Sequence, residues 1–167
     1  MSAQRFPLAV ILQRTPLANR WVSERWEPVA VELEAVVSPS AAALIGDDAN
    51  GTRWRFGGMA VELHPSEAEG YYLNITSAEP KVFVMWRCAD AGVDPAAFPV
   101  IVTVSYNQAA RMLDGGEQVD AVPLPAELLA WMQPFVALHY KPEPRRKVRR
   151  NDPFRDDGMR GDRDSQR

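Results

Sequence analysis

The sequence predicts an α+β fold, a mainly antiparallel β sheet or barrel of about six strands with a C-terminal helix packed on it and a disordered basic tail. Three observations lead there. Fourteen Pro and ten Gly in 167 residues cut the chain into short segments that suit strands better than long helices. Most of these segments alternate apolar and polar residues or are apolar throughout, the patterns of half-buried and central strands. Near the end the spacing turns helical, and the residues beyond it carry almost no apolar side chains.

In chain order, FPLAVIL at 6–12 reads as a central first strand, ended by Gln13, Arg14, Thr15 and Pro16. Within 20–34, Val29, Val31 and Leu33 alternate with Ala30, Glu32 and Glu34, the period of a half-buried strand, with Pro28 marking a bend or an edge position. The stretch SPSAAALIGDDANG at 38–51 reads as a loop with room for one helical turn. Its Asp47, Asp48 and Asn50 lack the alternating ligands and terminal Glu of a calcium loop, so they read as a plain turn. In 52–63, Trp54 and Phe56 are apolar at even positions, and Met59, Val61 and Leu63 at odd ones. The phase flips across Gly57 and Gly58, which predicts a β-bulge that keeps both halves facing one core.

Segments 71–76 and 81–88 read as two strands joined by a hairpin-length connection at 77–80. Val82, Val84 and Trp86 point one way, Phe83 and Met85 the other, so the second belongs in the middle of the structure. A sixth strand is expected at 100–105, then a short helix at 107–113 closed by a left-handed Gly115, and an extended lead at 116–123. A final helix should begin near Pro125, where a missing N–H costs nothing, with Glu127 near the positive end of its dipole. Its Leu128, Trp131, Met132, Phe135, Val136 and His139 form an apolar stripe, and Pro134 should kink it or split it in two.

Residues 1–140 therefore read as one β-rich domain, and 141–167 as a charged tail. The tail has one Val, one Phe and one Met, too little to offset its ordering entropy. Its charge also differs in sign from the body. Residues 1–140 hold 9 Lys+Arg against 16 Asp+Glu, a balance of −7, whereas 141–167 hold 10 against 6, a balance of +4. The single Cys88 excludes an internal disulfide framework and a thiolate metal cage, and it fits a reducing compartment. The apolar run near residue 10 is too short for a signal sequence or a membrane span, which makes the cytoplasm the expected location.

Catalytic chemistry finds little support. His64 and His139 stand far apart with no second ligand at helical spacing. Cys88 ends a buried strand, where a thiol acts as a small hydrophobe. Asp47-Asp48 and Asp156-Asp157 are adjacent rather than facing. No phosphate-binding or nucleophile-elbow motif occurs, and the Asn74-Ile75-Thr76 sequon lies in a predicted strand. No cofactor or metal is expected. The five Trp residues fit core or docking positions. Arg-interleaved ANRWVSERW and TRWRF could offer a stacking surface to nucleic acid, but the acidic body repels phosphate.

Six of the ten residues in 141–150 are cationic: Lys141, Arg145, Arg146, Lys147, Arg149 and Arg150. They read either as a solvating tail or as the candidate partner-binding residues, with electrostatic docking to an acidic protein surface preferred over nucleic acid or anionic lipid. A membrane surface is disfavoured because the basic cluster lacks a second anchor.

The segment YNQAARMLDGGEQVDAVPLPAELLAWMQPFVALHYKPEPRRKVRRNDPF, together with LQRTPLANRWVSERW, which holds Asn19, Arg20, Trp21 and Trp26, resembles a proteobacterial family, domain of unknown function 3305. The resemblance covers most of residues 6–153. Members of that family are typically encoded beside formate dehydrogenase subunits, which implies an accessory role in assembling that molybdenum and iron–sulfur enzyme. The expected function is thus a non-catalytic accessory protein that docks on a formate dehydrogenase subunit or maturation factor. The alternative is a nucleic-acid-binding module using the basic tail and exposed Trp.

Overall fold

A computed structural model describes residues 4–144. Seven antiparallel strands form two sheets, and three helices accompany them. The first sheet has the order β2-β1-β4-β3, built from β1 (Gln4–Pro16), β2 (Glu24–Leu33), β3 (Ala42–Asp48) and β4 (Gly51–Leu63). The second has the order β6-β5-β7, from β5 (Lys81–Cys88), β6 (Ala97–Thr103) and β7 (Gln118–Pro123). Helix α1 (Ala68–Ile75) links the sheets after a 3₁₀ turn at Pro65–Glu67, α2 (Tyr106–Asp114) follows β6, and α3 (Ala126–His139) ends the fold.

The sheets meet through β2 with β7 and β4 with β6. Leu8, Val10 and Leu12 of β1 join Val82, Val84 and Trp86 of β5 in one core, which Leu128, Met132, Phe135 and Val136 of α3 complete. The stripe expected of the last helix is thus the stripe it buries. Pro134 lies inside that single helix rather than splitting it. Both Pro134 and Ala130, whose carbonyl loses its helical donor, are on the exposed side, where water can replace the bond.

The bulge in β4 is present. Leu8 faces Met59 and Val10 faces Phe56, which leaves Gly57 and Gly58 opposite Ala9. The 38–41 connection crosses directly over them: Gly58 N–H donates to Ser38 Oγ at 3.2 Å and Gly57 N–H to the Ala41 carbonyl at 3.1 Å. A Cβ on Gly58 would lie 2.8 Å from Ser40 N, and the φ of +76° there already disfavours side chains.

Four expectations need correction. Residues 71–76 are helical, because α1 buries Ala68, Tyr71 and Asn74 at three-residue spacing and tertiary packing overrides the β propensity of Tyr-Tyr-Leu. Residues 42–48 are a strand and not loop, since a hairpin turn at Ala49-Asn50 returns the chain and pairs it with β4. The extended lead at 118–123 is a seventh strand, hydrogen-bonded to β5. Gly115 has φ −75°, and the positive φ falls on Gly116 instead, at +86°.

No helix among the described residues is long and apolar enough to cross a membrane. Helix α3 ends at His139 with Tyr140 as its C-cap, and residues 145–167 of the expected tail lie outside the described residues.

Candidate docking site

Two anchors set the position of α1. Tyr71 is 1% exposed; its hydroxyl accepts from His64 N–H at 3.0 Å and donates to the Glu62 carbonyl at 3.3 Å. Burial pushes the phenol pKa up. Asn74 is 2% exposed, with Nδ2 donating to the Lys81 and Val104 carbonyls at 2.8 Å each and Oδ1 accepting Lys81 N–H at 2.9 Å. The sequon asparagine is therefore a clamp between α1 and β5. With these residues turned inward, Tyr72 and Leu73 face outward, 38% and 43% exposed.

Helix α3 delivers the chain to the same place. Tyr140 closes it by donating its N–H to the Val136 carbonyl at 2.9 Å, then leaves in extended conformation at φ −85°, ψ 117°. Its ring stacks on Tyr72 with centroids 4.2 Å apart and planes 22° from parallel, while His139 lies against Phe135 at 4.3 Å. The result is an open cleft of about 900 Å³, floored by Ala68, Tyr72 and Leu73 and rimmed by Glu69, Lys141 and Glu143. Aromatic faces with charges around their edge are the makeup of a protein-docking patch.

Of the residues assigned to partner binding from sequence, Lys141 is exposed at this rim. Arg145, Arg146, Lys147, Arg149 and Arg150 lie outside the described residues. Sequence reasoning missed Tyr72, because a segment read as a strand has no helical face; the spacing of Ala68, Tyr71 and Ile75 was the available signal.

The remaining candidates are occupied by structure. Asp47 accepts from Thr52 Oγ at 2.9 Å and Asp48 from Asn50 N–H at 2.8 Å, as turn residues do. Glu67 takes the Ser105 hydroxyl at 2.6 Å and the Arg111 guanidinium, tying α2 to the start of α1. His64 stands exposed 3.6 Å from Glu62. Cys88 is exposed rather than buried, since β5 runs out past the core at its last residues. Among the described residues no group of three or more His, Cys, Asp or Glu is placed to hold a metal ion.

Four of the five Trp residues pack. Trp26 and Trp86 are buried, Trp131 meets Phe6 edge-on at 5.2 Å, and Trp54 lies against the core. Trp21 is 82% exposed, with the Arg20 guanidinium 5.2 Å above its ring.

A family model described as "Protein of unknown function (DUF3305)" matches residues 7–149. The chain belongs to this family. The match runs from β1 through α3 and takes in Tyr72, Tyr140, Lys141 and the basic residues up to Arg149. No curated protein and no solved structure matches the chain.

Proposed function

We propose that this DUF3305 member is a non-catalytic accessory protein of the cytoplasm that docks on a formate dehydrogenase subunit, or on a maturation factor of that enzyme, and assists its assembly. The partner's identity rests on the family resemblance, and the place of docking on the cleft between α1 and the end of α3. One observation carries the reading: Lys141, the first of the basic residues, follows directly on the Tyr72–Tyr140 stack at the edge of an open cleft that combines aromatic and charged side chains. An aromatic anchor slows dissociation, and the cations that follow it speed encounter with an acidic surface. The polar groups on and beside α1, the buried Asn74 and Ser105 and the half-buried Glu67, are engaged in holding the helices and strands together, which suits a scaffold.

The test is co-purification from cells expressing the dehydrogenase and its maturation factors, with the full chain and with Lys141, Arg145, Arg146, Lys147, Arg149 and Arg150 all changed to Glu. A dehydrogenase subunit or maturation factor should accompany the unaltered chain and be lost, or become far more salt-sensitive, with the variant. Absence of any such protein from both preparations contradicts the reading.

A further inference from the structure

We propose that β3 is a self-association edge, where a second copy of this chain adds its own β3 antiparallel to the first about a two-fold axis at Ala43. Strand β3 ends the first sheet, and its Leu44 and Ile45 are 55% and 48% exposed. An open strand edge presents unpaired N–H and C=O groups that invite another strand.

Register follows from the ladder. The Ala41 carbonyl accepts Gly57 N–H from β4, and main-chain groups in a strand alternate in direction. Ala42 and Leu44 therefore turn their N–H and C=O away from β4, toward the open edge. The pairing with β4 shifts between Leu44 and Gly46, so Ala42 to Leu44 is the regular part of the edge. Antiparallel pairing centred on Ala43 places Ala42 of each copy opposite Leu44 of the other, and their outward groups exchange hydrogen bonds on both sides of the axis.

Two features of the same chain fit this occupant. Ala42 and Leu44 share a face with Phe56 and Trp54, their partners in β4. Beside Ala42 opens an apolar groove of about 450 Å³ lined by Phe56, Val93, Pro95 and Phe98. Leu44 of the second copy, directly across from Ala42, arrives at the mouth of that groove, so each copy supplies the knob and the recess, as an isologous interface requires. Charge does not oppose it. The regular part of the edge, Ala42 to Leu44, is uncharged, and antiparallel pairing puts Asp47 and Asp48 of the two copies at opposite ends, whereas a parallel arrangement would stack carboxylates.

The experiment is sedimentation velocity on the full chain across the micromolar range, with two variants. Leu44→Lys, at an exposed position that leaves the monomer's core intact, should shift a dimer to monomer. Ala43→Cys in a Cys88→Ser background should form a disulfide-linked dimer under mild oxidation, and Leu138→Cys in the same background should not. A chain that is monomeric throughout, or a dimer that neither dissociates with Leu44→Lys nor cross-links through position 43, overturns the proposal.

Discussion

Tyr72 on α1 and Tyr140 just past α3 stack at 4.2 Å, so the departure point of the chain from α3 into Lys141 is set by ring packing against α1 as well as by the Tyr140 N–H bond to Val136. Tyr72→Ala should then loosen the departure point more than the core. The loss in stability should be about 0.5–1.5 kcal/mol, the scale of an aromatic pair, read by urea unfolding. Binding to the partner should weaken in the same variant, read by titration calorimetry.

Asn74 satisfies three main-chain groups from β5 and from the chain beyond β6. Asn74→Ala strands them in a buried site, and the expected cost is roughly 2–4 kcal/mol in equilibrium unfolding. A change within experimental error would mean that water replaces the amide freely.

The bulge glycine gives a paired comparison. Gly58 and Gly92 both have positive φ, at +76° and +85°, but a Cβ on Gly92 would meet nothing within 4 Å. Gly92→Ala should cost about 1–2 kcal/mol from the left-handed backbone alone. Gly58→Ala adds collision with the Ser40 backbone and should cost clearly more, as a difference in urea midpoint at unchanged slope.

Acid stability should depend on Glu34. Burial acts to raise its pKa, yet hydrogen bonds from the Arg55 guanidinium and from Ser38 outweigh this and hold the carboxyl below its usual 4.5. The unfolded chain then takes up the proton at higher pH than the folded one. The stabilisation is present above about pH 4.5 and is lost as the pH falls through the folded value. The stability difference between the unaltered chain and Glu34→Gln should accordingly shrink on acidification below that point. A constant difference would show that the carboxylate charge is not what Arg55 and Ser38 recognise.

Much of the fold was legible because it rests on periodicity. The phase flip across Gly57 and Gly58 foretold the bulge, the alternation of Val82, Val84 and Trp86 foretold the centre of the second sheet, and the stripe from Leu128 to Val136 foretold the buried face of α3. The misreadings share a different cause. Strand β3 is exposed along nearly its whole length, so no burial pattern marks it and only pairing with β4 makes it a strand. Helix α1 has bulky residues with strand propensity, and its buried Asn74 is held in part by the Val104 carbonyl, 30 residues away in sequence. The cleft between α1 and the end of α3 depends on that helix, so Tyr72 could not be placed opposite Tyr140 before the fold was known.

Site-specific photocross-linking tests the docking account most directly, with a benzophenone side chain placed singly at Tyr72, Tyr140 or Trp21 in cells expressing formate dehydrogenase and its maturation factors. Cross-links to a dehydrogenase subunit or maturation factor from positions 72 and 140, and not from 21, are the predicted result. Cross-links to such a protein from position 21 alone, or to none of them from positions 72 and 140, would contradict it.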